Sequence, residues 1–374
     1  MSAKSIHIVL FFTRGVSLKT WANNGSLNRE IALYLRLQEK GVKVSFVTYG
    51  NASDLQFSAE LKGIQILSNR WGLPGKMYEK MIPWVHAHAL MKSDIVKSNQ
   101  TFGSEIAFRA ARLWRKPFIA RCGFLMSEWA EYNGKFTTAQ QARRIERVVF
   151  PGAQRVVVSA PRMKEYIIQQ YGVPSSSVHV IPNYVLTDIF SPEANKAEYN
   201  RICYVGRLSE EKNLLSLVEA SAGLDVDLHF VGEGNLRDPL QEKARELHVQ
   251  LTLHGSLPHH QLPPIIRQSA IFAQVSLHEG HPKSLLEAMS CGAAVLGSNS
   301  PGIREQIVHG ETGWLVGTDV KSIRAGIQHL LADTPLREKL GTNARRFILE
   351  NYSLDKIVDM EYSLLRDIMD HPEG

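Results

Sequence analysis

Cysteine is scarce in this chain of 374 residues. Cys122, Cys203 and Cys291 are odd in number and scattered, so they match neither a disulfide framework nor a zinc site, and a reducing cytosol is the expected compartment. Also missing is any apolar run near the roughly 18 to 20 residues that cross a bilayer. The run from Ile6 to Phe12 is short, contains His7 and lacks a small-residue cleavage site, so it reads as a first buried strand and not a signal peptide. Internal repeats and low-complexity segments are absent. So is any interleaving of aromatic and basic residues, or any recognition helix, that would suit a nucleic-acid partner. What remains is an ordinary globular composition, 44% hydrophobic and 21% charged, in a chain too long for one core and suited to two α/β domains.

Charge is unevenly divided. Met1 to Tyr184 holds 25 Lys/Arg against 11 Asp/Glu, whereas Val185 to Gly374 holds 18 against 26, and the whole comes to +6. A basic half joined to an acidic half suggests that the first half faces something anionic, such as nucleic acid, a membrane surface or a phosphorylated substrate. The plain alternative is an uneven spread of surface lysines.

Apolar runs alternate with helical patterns throughout. In the first half, strands are expected at Ile6 to Phe12, Val42 to Tyr49, Ile64 to Leu67, Asp94 to Lys97, Pro117 to Ala120 and Arg155 to Ser159. Helices are expected at Leu27 to Lys40, Lys76 to Met91 and Gly103 to Trp114. The second half repeats the grammar. Strands at Arg201 to Gly206, Asp227 to Gly232, Val249 to His254, Ala270 to Val275 and Ala293 to Gly297 flank helices at Asn213 to Ala222 and Pro239 to Leu247. Such alternation predicts parallel sheets covered on both faces, with ligands at the carboxyl ends of the strands, where the glycine turns lie. The boundary is expected at Ile181-Pro182-Asn183-Tyr184. The domains are then 1–184 and 185–352, with an amphipathic helix in 353–374 packing back on the first.

The most informative stretch is Glu279-Gly280-His281-Pro282-Lys283-Ser284-Leu285-Leu286-Glu287. A loop feeding a helix start offers backbone N–H groups and a positive dipole end to phosphate or sugar hydroxyls. A carboxylate near that start can accept hydrogen bonds from a ribose diol. Two solvent-facing glutamates on a helix are the plain alternative. The stretch resembles the E-x7-E motif of family 4 retaining glycosyltransferases of the GT-B fold. Gly292-Ala293-Ala294-Val295, Ser300 to Glu305 and Gly310 to Val316 follow in that family's order. Tyr204 to Leu208 with Glu211-Lys212-Asn213, and Val231 to Gly234, fit upstream.

The resemblance implies two Rossmann-like domains facing a central cleft, and it implies roles. Arg207 and Lys212 resemble the basic pair that neutralises the donor diphosphate, Glu279 the residue that contacts the donor sugar, and Glu287 the ribose ligand. Gly206, Gly234, Gly280, His281, Pro282, Lys283, Ser284 and Leu285 line the donor, and Gly255-Ser256-Leu257 resembles the turn that holds the base. Arg207 has a plain alternative as a surface ion pair with Glu210 or Glu211. In the first half, Asn23-Asn24-Gly25-Ser26 occupies the place of the family's glycine loop between the first strand and the helix from Leu27. That loop approaches the diphosphate and the acceptor in the family, so Gly25, which permits close approach, is implied on the donor side and Asn24 and Ser26 on the acceptor or sugar side, with Ser26 doubling as an N-cap candidate.

The chain departs from the family where many members carry a histidine in the first domain. Arg121-Cys122-Gly123 and Lys97-Ser98-Asn99-Gln100 stand at the two places concerned, so Arg121 or Asn99 faces the sugar. His86 and His88 read as structural or acceptor-facing. Asp225-Val226-Asp227 matches the D-x-D signature of another glycosyltransferase fold, yet it precedes a strand, away from the glycine turns. No metal and no cofactor is expected beyond a UDP-, GDP- or ADP-sugar co-substrate.

Retention in this family proceeds through an oxocarbenium-like state in which the departing phosphate helps to deprotonate the acceptor. A saccharide or lipid-linked acceptor is implied. The clusters Arg109, Arg112, Arg115, Lys116 and Arg143, Arg144, Arg147, with Trp84 and Trp114, suit an anionic membrane face. The rivals are a GT-B sugar-nucleotide epimerase and a nucleic-acid-binding module.

Overall fold

The computed structural model describes residues 5–193 and 200–371. Residues 1–4, 194–199 and 372–374, which the expected domain limits include, lie outside the described residues. The chain divides into two units, Met1–Pro182 with Ile357–Gly374, and Asn183–Lys356.

In the first unit, seven parallel strands pair in the order β3-β2-β1-β4-β5-β6-β7. They are β1 (His7–Phe11), β2 (Lys43–Val47), β3 (Gln65–Leu67), β4 (Ile95–Ser98), β5 (Phe118–Cys122), β6 (Arg155–Val158) and β7 (Val178–Val180). Apolar side chains on β1, β4, β5 and β6 are fully buried, as strands covered on both faces require. The helix Leu354–Asp370 belongs to this unit from Ile357 onward and buries Ile357, Val358, Leu364, Leu365 and Ile368. It also buries Glu361, which takes both carboxylate oxygens to Lys97 Nζ on β4, at 2.7 and 2.6 Å. Each side chain of that pair is 1% exposed.

The second unit has six parallel strands in the order β10-β9-β8-β11-β12-β13. These are β8 (Arg201–Val205), β9 (Asp227–Val231), β10 (Gln250–Leu253), β11 (Ile271–Gln274), β12 (Ala294–Ser298) and β13 (Trp314–Val316). Two apolar layers cover the sheet. One holds Tyr204, Leu217, Phe230 and Ile327, the other Cys203, Phe272, Leu286 and Ile348.

Three local readings are corrected. The helix expected over Lys76 to Met91 is two helices, Gly75–Val85 and Ala87–Lys92, separated at His86. Pro83 lacks the N–H that would bond the carbonyl four residues back, at Glu79. Arg109 Nη2 donates to that carbonyl instead, at 2.7 Å. His86 is buried with its Nε2 2.8 Å from the Tyr78 hydroxyl, so it is structural, while His88 is exposed. A helix, Leu18–Asn23, intervenes between β1 and the Asn24-Gly25-Ser26 turn, which therefore does not follow the strand directly. Ser26 does not cap the helix Leu27–Glu39; its hydroxyl donates back to the Trp21 carbonyl at 3.3 Å.

No helix among the described residues is long and apolar enough to cross a membrane.

Candidate active site

The second sheet reverses its strand order between β8 and β11, and a crevice opens at the carboxyl ends of strands at such a switch point. Two loops meet there. One leaves β8 through Gly206-Arg207 to Lys212, the other leaves β11 through Ser276 to Glu279. They are stitched together by backbone, since Leu277 N donates to the Glu211 carbonyl at 2.9 Å. Asn213, in a left-handed conformation with φ 58°, donates from its side chain to the carbonyls of Val275 and Thr318 at 3.2 and 2.8 Å. Two Asp225-Val226-Asp227 carboxylates lie exposed at the amino end of β9, away from this edge.

Lys212 and Glu279 face each other across the seam. Lys212 Nζ lies 2.7 Å from Glu279 Oε1, and their side chains are 12% and 11% exposed. The same oxygen accepts from Gln274 Nε2 and Ser276 Oγ, each at 2.8 Å. Glu279 thus fixes the lysine ammonium at the crevice floor, and Gln274 and Ser276 fix Glu279. The Glu279 backbone is clamped as well, because its N–H donates to the Pro301 carbonyl at 2.9 Å. Gly302, at φ 84°, lies so close to the Glu279 carbonyl that a β-carbon there would collide with it. Arg207 reaches toward solvent with 65% of its side chain exposed, 3.7 Å from Glu211. Burial alone would raise the Glu211 carboxyl. The nearby Ser209 hydroxyl and its own backbone N–H, with the charges of Lys212 and Arg207, hold it below the ordinary value. Gly234 sits against the Leu208 carbonyl, where a side chain would not fit.

The helix Lys283–Ser290 starts beside this cluster. Pro282 precedes it, and no side-chain oxygen caps its first N–H groups. Its start therefore leaves backbone donors and the positive dipole end beside the Lys212–Glu279 pair, an arrangement that could hold an anion. Leu285, Leu286, Ala288 and Met289 are fully buried, and each of the two leucines and the methionine contributes about 1.5–3 kcal/mol. That burial anchors the helix, and with it Lys283, Ser284 and Leu285. Glu287, on its second turn, is 2% exposed, with Oε1 2.7 Å from His259 Nε2. The ring of His259 lies 4.8 Å from that of Phe190. Asn183 Nδ2 donates to the His281 carbonyl at 3.0 Å, which holds Gly280-His281 in place.

The Gly255-Ser256-Leu257 turn follows β10, with Ser256 exposed and Leu257 packed on the second apolar layer. Gly232 N donates to the Gly255 carbonyl at 2.8 Å, tying this turn to the end of β9. The expected donor residues other than Gly25, which lies in the first unit, belong to the second unit, and contacts join Arg207, Lys212 and Glu279 through their neighbours. His259, Gln274, Ser276 and Asn213 are positioning groups that sequence reading missed. His259 and Asn213 act through partners distant in sequence, His259 lying 28 positions from Glu287, whereas Gln274 and Ser276 lie five and three positions from Glu279.

The first unit carries its own switch point between β1 and β4. Asn99 follows β4, and its N–H donates to the Phe11 carbonyl at the end of β1, at 2.9 Å. Arg121 lies on β5, half-buried, with its N–H donating to Ser98 Oγ at 3.2 Å. Asn24 and Gly25 form the turn after Leu18–Asn23, with Gly25 at φ 66°.

Comparison with known proteins covers both units. Residues 31–184 match the "Glycosyl transferase 4-like domain" and residues 187–347 match "Glycosyl transferases group 1". An uncharacterized glycosyltransferase of Methanocaldococcus jannaschii is 22% identical over 91% of this chain and 95% of its own length. The alpha-maltose-1-phosphate synthase of Mycolicibacterium smegmatis is 26% identical over 60% of this chain and 66% of its own. Among solved structures, the sucrose-phosphate synthase of Thermosynechococcus elongatus superposes with a TM-score of 0.78 at 17% identity, covering 98% of this chain and 99% of that one. Anabaena HepE in complex with UDP gives 0.77 at 15%, covering 97% and 100%. With both halves matched in sequence, and both sheets matched in structure, the chain belongs to the group 1 glycosyl transferases and has their two-domain GT-B fold.

Proposed function

We propose that this glycosyltransferase takes a hexose from a UDP-, GDP- or ADP-sugar and places it, with retention and without a metal ion, on a hydroxyl of a saccharide or lipid-linked acceptor. The observation that carries the reading is the pairing of Lys212 with Glu279, 2.7 Å apart, at a switch point beside an uncapped helix start. Negative charge grows on a departing diphosphate, and fixed cations and backbone donors aimed there lower the barrier. Arg207 meets phosphate oxygens as a planar fork, and Lys212 as a point charge. Glu287, steadied by His259, receives the ribose hydroxyls. Glu279 already accepts three hydrogen bonds on one oxygen, so it serves better as a holder of Lys212 and of the sugar than as a nucleophile. The departing phosphate then takes the acceptor proton. The acceptor's place is the inner face of a membrane, in keeping with the basic first half.

The test is a thermal-shift panel of UDP-, GDP- and ADP-sugars. At 100 times Kd a ligand stabilises the folded state by about 2.7 kcal/mol. One donor is expected to raise the melting temperature of the wild type and to lose that effect in Lys212→Ala. NMR of the product should show the donor's anomeric configuration, and EDTA should leave the rate unchanged. If every donor leaves both proteins unmoved, the assignment fails; an epimerised sugar from donor alone would instead point to an epimerase.

A further inference from the structure

The helix Gly75–Val85 turns Tyr78 and Ile82 inward and leaves Met77, Met81 and Trp84 outside, at spacings of four and three residues along one face. Met77 is 50% exposed and Trp84 56%. Neighbouring helices extend the patch, since Met91 at the end of Ala87–Lys92 is 49% exposed and Leu113 at the end of Ser104–Leu113 is 41%. Three contacts bind these elements into one surface. The Trp84 and Trp114 rings meet edge-on at 6.1 Å, and Trp114 Nε1 donates to the Pro83 carbonyl at 2.8 Å. Lys116 Nζ donates to the Met91 carbonyl at 2.7 Å. Trp114 is thereby half-buried and only Trp84 is presented outward. Exposed cations rim the patch at Lys76, Lys80, Lys92, Arg112 and Arg115. Its carboxylates are turned to other tasks. Glu105 binds Arg14 and the Gly103 N–H, Asp94 accepts from His7 N, and Glu79 lies 3.9 Å from Arg14. Beside the rim, a groove of about 420 Å³ is lined by Arg112, Arg115, Lys116 and Gln154.

We propose that this face of the first unit docks in the headgroup layer of an anionic bilayer, with Met77, Met81 and Trp84 entering the acyl boundary and the Arg112–Lys116 groove receiving a lipid phosphate. Charge of one sign around an apolar centre selects an anionic lipid surface over a second copy of the chain, whose identical rim would repel. Methionine is unbranched and adaptable, and tryptophan suits a boundary that is apolar below and wet above. In the other basic cluster Arg143 pairs with Glu131, while Arg144 and Arg147 are exposed. The inference locates the membrane partner of the reading above. Its assay does not involve the donor site, so either can fail without the other.

The full chain is sedimented with vesicles of phosphatidylcholine alone and with vesicles containing phosphatidylglycerol. Binding is expected only to the anionic vesicles. Arg112→Glu/Arg115→Glu should lower it at least 25-fold, at about fivefold per cation. Met81→Ser/Trp84→Ser should lower it about tenfold or more at a temperature where the variant stays folded by circular dichroism. Trp84→Phe should remove a blue shift in fluorescence that the wild type shows on binding. No preference for anionic vesicles, or undiminished binding by Met81→Ser/Trp84→Ser, overturns the proposal. So does a concentration-dependent dimer, in sedimentation velocity, that these substitutions abolish in a protein indifferent to vesicles.

Discussion

Glu361→Gln removes the counter-charge of a lysine that is 1% exposed. In the wild type, burial pulls the Lys97 ammonium below the ordinary lysine value, with Glu361 working against that pull. Breaking a buried pair by losing one partner costs about 3–5 kcal/mol, whereas replacing both with apolar groups of similar size is neutral or stabilising. For a unit of about 200 residues, 1 kcal/mol moves the melting temperature by about 2–4 °C. Glu361→Gln should therefore lower the first unit's transition by roughly 6–20 °C. Lys97→Met/Glu361→Leu should restore it. The sign of the pH dependence follows. In Glu361→Gln the folded lysine holds its proton less tightly than the unfolded one does, and stability rises with pH wherever the unfolded state binds more protons. The deficit should therefore shrink between pH 7 and pH 10. Differential scanning calorimetry separates the two units, and only the transition of the first should move. A Glu361→Gln loss under about 1 kcal/mol, or a double variant as unstable as the single, would refute the reasoning.

His259→Ala leaves Glu287 without its 2.7 Å partner, so KM for the donor should rise on the order of tenfold with kcat little changed; an unaltered KM means that His259 does not position the carboxylate. Burial, with Arg70 nearby, lowers His86 to about 4 from 6.5, and the neutral ring is what the fold holds. Its contribution is complete above pH 6.5 and is lost as pH falls toward 4, by up to about 3 kcal/mol, and urea titrations of His86→Phe should show a flatter acid limb than the wild type. Gly302→Ala, at φ 84° against the Glu279 carbonyl, should destabilise the second unit by more than about 1 kcal/mol and displace Glu279, read as lost transfer at temperatures where the protein stays folded.

The sheets were legible because buried parallel strands are written as short apolar runs, and Ile6 to Phe12 or Arg201 to Gly206 needed no partner to be recognised. Two strands were missed. Val178–Val180 and Trp314–Val316 have three residues each, too few for a pattern. The helices Phe136–Gly152 and Thr334–Asn351 also went unread. The break at His86 went unseen because the apolar spacing over Lys76 to Met91 runs on through Pro83, and Arg109 makes the break tolerable by satisfying Glu79 from 30 residues away. At the site, the family resemblance singled out Lys212, Glu279 and Glu287. What stayed hidden was how they are held, because Gln274, Ser276 and His259 are unremarkable until the chain folds. Lys97 read as an ordinary strand residue for the same reason, its partner being 264 positions away.

That separation bears on how the protein is made. A ribosome adding about 5–20 residues per second needs on the order of tens of seconds to pass from Lys97 to Glu361. Through that interval the nascent first sheet holds a cation with nothing to neutralise it and an uncovered apolar strip where Ile357, Leu364 and Ile368 later lie. The second unit, uninterrupted from Asn183 to Lys356, has all its residues in hand before the first does. Synthesis order and completion order are thus inverted, and the half made earliest is the one with most need of a chaperone.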